Sequence, residues 1–202
     1  MMAEKGIIRF KCSWTHADPF PDEDVAELNR WRRILYDKGL VGADGNGVGF
    51  GNLSKRYLRN QFIITGSGTG PLTELTNMHY TLVTNFNIKG NMVEAKGPVI
   101  ASSETLSHAA LYRCDKAINA VFHIHNLELW KRIIGKVPTT RANVEYGTPQ
   151  MAMEIKTLYR QTDLRKTRVL VMAGHQEGIM AFGLDADEAG KRILSLMKEY
   201  NP

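Results

Sequence analysis

Cysteine is scarce: Cys12 and Cys114 are the only two in the chain, they form no CxxC, and a disulfide scaffold is thereby excluded. Reduced thiols in a cytoplasmic protein are the expectation, and neither thiol stands in a catalytic pattern. No apolar run approaches membrane-spanning length, and the opening MMAEKGIIRF lacks the basic start and long apolar core of a signal peptide. A soluble protein with no membrane partner follows. Basic charge is not concentrated either. Lys and Arg exceed Asp and Glu by 26 to 21, but they lie scattered, as in Lys55/Arg56/Arg59 and Arg165/Lys166/Arg168, with no stripe or reading helix. This speaks against a nucleic-acid partner and for a solvated surface that also attracts anionic metabolites. Repeats, low-complexity tracts and linkers are missing, so the 202 residues are expected to build one domain.

Hydrophobic periodicity is what remains to read. Residues 1–21, with Pro19 and Pro21, read as an irregular N-terminal extension. From Asp22 to Lys38, Val25, Leu28, Trp31, Ile34 and Leu35 recur at helical spacing and stop at Gly39. Five glycines between 41 and 51 suit a backbone that bends closely around something. Phe62–Thr65 reads as a strand breaking into Gly66-Ser67-Gly68-Thr69-Gly70. Tyr80–Thr84 reads as another, with loop following through Lys96-Gly97-Pro98. Ser102 or Ser103 can cap a helix carrying Leu106, Ala110 and Leu111. Ala120–His125 is a buried strand, and Asn126 opens a short helix to about Ile134. Thr148-Pro149 starts a helix through Arg160, Val169–Met172 and Ile179–Phe182 are paired strands, and Asp185 with Glu188 resembles a capping box for the last helix. The class is α/β in one layered domain.

Alternate residues of a strand share a face, so His123 and His125 project together while Ile124 points away. Neutral imidazoles at this spacing suit a divalent ion such as Zn²⁺, which in catalytic sites takes three protein ligands and leaves a position open. The plainer alternative is two strand histidines that hydrogen-bond locally. His175, beside Gly174 at a strand end, is the leading third ligand. His108 reads as a packing or supporting residue, and His79 and His16 have no supporting pattern. Glu104 follows two serines at a helix N-terminus, where the dipole favours an anion and free N–H groups can receive phosphate oxygens. Taken singly, Glu104, Ser102, Ser103 and the turn-like Gly51-Asn52-Leu53-Ser54 are each explained by local structure alone.

Taken in order, GNLS at 51–54, FIITGSG at 62–68, SSE at 102–104, HxH at 123–125, YGT at 146–148 and the late His175 resemble the class II aldolase/adducin family, over roughly Asp22 to Tyr200. The resemblance implies a three-layer α/β/α fold with a mixed, mainly antiparallel central sheet, assembled as a homotetramer with sites between subunits. Members of the fuculose-phosphate aldolase type hold zinc through histidines matching His123, His125 and His175. Their acid/base glutamate matches Glu104, and Asn52, Ser67, Gly68, Ser102 and Ser103 match the residues around their phosphate. The implied activity is that of a lyase. It would cleave or form a C–C bond in a small ketose 1-phosphate through a metal-stabilised enediolate of dihydroxyacetone phosphate.

The same motifs fit a dehydratase of the methylthioribulose-phosphate type or an epimerase. An adducin-like interaction module, without catalysis, would be expected to have lost the ligands. The chain also departs from the family. The proline that commonly precedes Ser-Ser is Ala101, and an Asn-His-Gly-like triplet is replaced by Gly174-His175-Gln176-Glu177-Gly178, with Glu177 read as a turn carboxylate. Neither Tyr146 nor Tyr200 matches the family's proton-donating tyrosines.

Overall fold

The computed structural model describes residues 7–200. In chain order it contains β1 (Lys11–His16), α1 (Asp22–Asp37), β2 (Gly42–Ala43), β3 (Gly49–Phe50), β4 (Asn52–Arg56), β5 (Phe62–Thr65), β6 (Tyr80–Asn87) and β7 (Met92–Gly97). It continues through α2 (Thr105–Cys114), β8 (Ala120–His125), α3 (Leu127–Ile133), α4 (Pro149–Gln161), α5 (Leu164–Thr167), β9 (Val169–Val171), β10 (Gly178–Gly183) and α6 (Ala186–Tyr200). Eight strands form one sheet in the order β1-β7-β6-β5-β4-β8-β10-β9; β2 and β3 make a separate hairpin. Every neighbour pair in the large sheet is antiparallel except β1 with β7. The α/β class and the mixed, mainly antiparallel sheet agree with expectation.

Alternation along the central strands sorts the core into two layers. Phe122 and Ile124 of β8, Leu53 of β4 and Ile179 of β10 pack with Val25, Leu28, Trp31 and Leu35 of α1 and with Ile193 and Leu196 of α6. Val121 of β8 and Met180 and Phe182 of β10 pack on the opposite side with Leu106, Ala110 and Leu111 of α2 and Ile155 of α4. The sheet is thus covered by helices on both faces, which requires the near-continuous burial seen along β8 and β10. Three helix ends follow their sequence cues, whereas α2 starts from Glu104 with no side-chain cap in place of the expected Ser102 or Ser103. Thr148 accepts from the Met151 N–H at 3.2 Å and Asn126 from the Leu129 N–H at 2.8 Å. Asp185 accepts from Glu188 N–H at 2.7 Å, while the Glu188 carboxylate takes the Leu184 N–H at 2.6 Å.

Three expectations are corrected. The irregular extension contains β1, whose side chains are mostly exposed because it is an edge strand, so no buried alternation marks it; residues 1–6 lie outside the described residues. The loop expected after Thr84 is the β6–β7 hairpin, hidden in the sequence because Asn85, Asn87, Glu94 and Lys96 are polar positions on a partly exposed pair. The GNLS segment is a central strand instead of a turn, with Asn52 opposite His123 and Ser54 opposite Val121 in the β4–β8 register. No helix among the described residues is long and apolar enough to cross a membrane.

Candidate active site

His123 and His125 lie on the α2/α4 side of β8, and His175 stands just before β10, where Gly178 is paired with His125. The three imidazoles are buried and offer ring nitrogens that all lie within 4.8 Å of one another. Nε2 of His125 and Nε2 of His175 are 3.0 Å apart. Two nitrogens bound tetrahedrally to one zinc ion would be separated by about 3.3 Å, given bonds of about 2.0–2.1 Å, so a small adjustment accommodates an ion. Neither ring nitrogen of the buried His123 has a hydrogen-bond partner. Leaving such a group unsatisfied costs on the order of 1–3 kcal/mol, which coordination would remove. Burial first, then the neighbouring imidazoles, hold His123 well below the usual histidine pKa, in the neutral form a metal requires. The donor set therefore fits a divalent transition metal.

Glycine makes this convergence possible. A Cβ on Gly178 would sit 2.7 Å from Cδ2 of His175 and 3.2 Å from Nε2 of His123, and one on Gly174 would overlap the Val144 carbonyl. Glu177, at φ +72 between these glycines, brings its carboxylate to 3.5 Å from Nδ1 of His125. A turn carboxylate by sequence, it also stands at a ligand's second nitrogen.

Glu104 faces the same cleft from the start of α2. It is 2% exposed and accepts a 2.8 Å hydrogen bond from Ser107 on Oε2, while Oε1 has no partner in hydrogen-bond geometry. Burial raises its pKa to about 7, against smaller opposing effects from Ser107, Arg9 and the Gly147 N–H. A carboxylate so tuned can both take and return a proton near neutrality.

A small cavity of about 30 Å³ is lined by Glu104, His123, His125, His175, Tyr146 and Asn52. Beside it lies a cavity of about 260 Å³ that contains every residue matched to phosphate binding: Asn52, Ser67, Gly68, Ser102 and Ser103. Gly49, Phe50, Gly51, Asn52 and Ser103 belong to both walls. Among the described residues, no lysine or arginine lines the larger cavity. What it presents to its interior are the N-terminus of α2, hydroxyls and a glycine-rich backbone with Gly68 at φ +78, the groups that suit an anion.

Arg9, Arg32 and Phe50 were not singled out from the sequence, and Tyr146, named within the YGT motif, was given no role there. Tyr146 stacks on His175, with ring centroids 4.3 Å apart, and the guanidinium of Arg9 lies 4.9 Å from the same Tyr146 ring. Arg9 in turn pairs with Glu145 at 2.5 Å. Arg32, 3% exposed, donates to the carbonyls of Gly70 and Leu72 at 2.8 Å each and so anchors the loop that follows Gly66-Ser67-Gly68. Phe50 stacks on His125 at 5.3 Å. All four lie far in sequence from what they touch, so no local spacing announces them. His108 does support the site, while His79 caps the short turn at 77–79 through Thr76, away from the cavities. His16 lies at the end of the edge strand β1.

Residues 26–199 match the family described as the class II aldolase and adducin N-terminal domain. The chain belongs to this family. Among solved structures it is similar to YgbL from Klebsiella pneumoniae, provisionally described as an aldolase/epimerase/decarboxylase. That match has 20% identity over 89% of this chain and 87% of the other, with a TM-score of 0.65. An L-fuculose 1-phosphate aldolase matches with 21% identity over 90% and 86% and a TM-score of 0.64. A sugar-phosphate aldolase from Thermotoga maritima matches with 17% identity over 87% and 91% and a TM-score of 0.66. At these identities the likeness is one of fold. No curated protein sequence matches the chain.

Proposed function

We propose that this class II aldolase/adducin-family protein is a metal-dependent lyase that cleaves or forms a carbon–carbon bond in a small ketose 1-phosphate. The observation that carries the proposal is the shared wall between the two cavities: a histidine triad and a neutral-range carboxyl on one side, an anion pocket on the other. His123, His125 and His175 would hold the ion, zinc by donor type. When bound it supplies Lewis acidity toward a substrate carbonyl. Asn52, Ser67, Gly68, Ser102 and Ser103 would receive the phosphate. Attachment at that point leaves the carbon next to the carbonyl near Glu104. In synthesis Glu104 takes a proton from that carbon as it bonds to the aldehyde, whose oxygen gains a proton from solvent. In cleavage the far hydroxyl loses its proton, the C–C bond breaks and Glu104 returns a proton to the carbon. Ser107 holds the carboxylate oriented through Oε2 and leaves Oε1 for the proton. Tyr146 and Phe50 wall off water around the imidazoles.

The test is incubation of zinc-loaded protein with a panel of ketose 1-phosphates, recording release of dihydroxyacetone phosphate and loss of water separately. Release of the triose supports the lyase. Water loss without cleavage would transfer the site to a dehydratase, and neither with any substrate, at one bound ion per site, would reject the proposal.

A further inference from the structure

Behind Asn52 runs a buried chain of polar groups. The Asn52 Oδ1 lies 2.6 Å from Nε2 of His108; Nδ1 of His108 lies 2.7 Å from the Ser54 hydroxyl; that hydroxyl lies 2.8 Å from the Tyr112 hydroxyl. His108 and Ser54 are completely buried, and Tyr112 is 3% exposed. The β4–β8 register explains the grouping, because Asn52 and Ser54 share the strand face on which α2 lies, and α2 presents His108 and Tyr112 one turn apart.

A neutral imidazole carries one N–H, so the chain can run in two senses. In the first, Tyr112 donates to Ser54, Ser54 donates to Nδ1, and Nε2–H donates to the Asn52 carbonyl oxygen. In the second, Nδ1–H donates to Ser54, whose own proton goes to the Tyr112 oxygen at 2.8 Å or the Val121 carbonyl at 3.4 Å, and the Asn52 amide must turn over to offer its NH₂ to Nε2. The structure sets the Asn52 oxygen, which can only accept, 2.6 Å from Nε2, and this favours the first sense. The two differ at the cavity: the first turns the Asn52 NH₂ toward it, the second an oxygen that would repel an anion.

We infer that His108 is a positioning residue whose Nε2–H tautomer, fixed by Ser54, locks the Asn52 amide with its donor face toward the anion pocket. The purpose of that lock rests on the phosphate reading above; the lock itself does not. Burial without a counter-charge holds His108 neutral, with a pKa of about 3, so the relay persists across the working pH range.

Nitrogen-15 NMR of the histidines in the full-length protein, with isothermal titration of inorganic phosphate, tests it. The expected result is a protonated Nε2 and an unprotonated Nδ1 on His108. Phosphate binding should weaken roughly tenfold in His108→Leu and in Ser54→Ala, the scale of one lost charge-assisted donor. His108→Gln, whose amide can still donate to Asn52, should restore most of it, and Asn52→Ala sets the floor. An Nδ1–H tautomer overturns the inference whatever the variants do. So does a folded His108→Leu that binds phosphate as wild type does while Asn52→Ala does not. If wild type shows the Nε2–H tautomer but binds no phosphate, the phosphate reading falls and the lock on Asn52 stands.

Discussion

The Tyr146 ring lies against the His175 imidazole at an interplanar angle of 26°. Arg9 also lies over that ring, 4.9 Å from its centroid, so the phenol contacts both a cation and a candidate metal ligand. Tyr146→Ala should therefore free His175 and weaken zinc binding by about tenfold, the low end for supporting residues around a metal. Tyr146→Phe keeps the stack and should bind zinc as wild type does. Competition with a chromogenic chelator measures both.

Glu104→Gln should retain zinc and slow proton exchange on dihydroxyacetone phosphate by at least about 10²-fold, the range for a removed acid/base group. Solvent-deuterium incorporation followed by proton NMR gives the rate. Unchanged exchange would remove Glu104 from its role.

The same variant has a pH signature in metal-free protein. Burial raises the Glu104 pKa from 4.5 to about 7. Between those values the native state binds more protons than the unfolded chain, so the wild-type protein loses stability as pH rises through that window. Glu104→Gln should consequently be more stable than wild type at pH 8 by up to roughly 3 kcal/mol, with the gain vanishing toward pH 4. Denaturant melts at the two pH values decide the sign.

Zinc at about 100 times its dissociation constant should stabilise the wild type by roughly 2.7 kcal/mol. Gly178→Ala should abolish most of that gain, because its methyl would press on the His175 ring and on Nε2 of His123. Thermal melts with and without zinc, and after chelation, report it. A full zinc response in Gly178→Ala would mean that the imidazoles are not held where the geometry has them.

Arg32→Met should spare the metal centre yet weaken phosphate binding, since the guanidinium ties down the carbonyls of Gly70 and Leu72 behind the Ser67-Gly68 loop. A rise in the phosphate dissociation constant of roughly tenfold, at unchanged zinc content, is expected for the loss of such a charged hydrogen-bond anchor.

The amphipathic helices α1 and α6 and the strand carrying His123 and His125 were legible because their signals are local: a 3.6-residue stripe, a cap, a two-residue alternation. His175 was legible as a third ligand from its place at a strand end beside Gly174, whereas the approach of Glu104 to the histidines was legible only through the family resemblance, since no spacing relates position 104 to 123, 125 or 175. Strand β1 escaped because it is an edge strand with mostly exposed side chains, and its neighbour β7 because its residues are only alternately buried and its polar positions read as loop. The contact of Tyr146, named only as part of the YGT motif, escaped for a different reason. Its ring meets His175 across a loop, and Gly147 at φ +66, which shapes that loop, looks in sequence like any other turn glycine.

Arg9 reaches the cleft from the residues just ahead of β1, and its backbone carbonyl is gripped by the Asn91 side chain at 2.8 Å, while Asn91's own carbonyl takes the Lys11 N–H at 2.9 Å. Strand β1 has one neighbour, so its detachment requires less free energy than global unfolding. Each such opening lifts a positive charge away from Tyr146 and from the field around Glu104. The one cation among the described residues that lowers the Glu104 pKa, a smaller effect than burial or Ser107, is thereby moored to a hairpin turn that lines neither cavity, and Asn91 acts as the cleat.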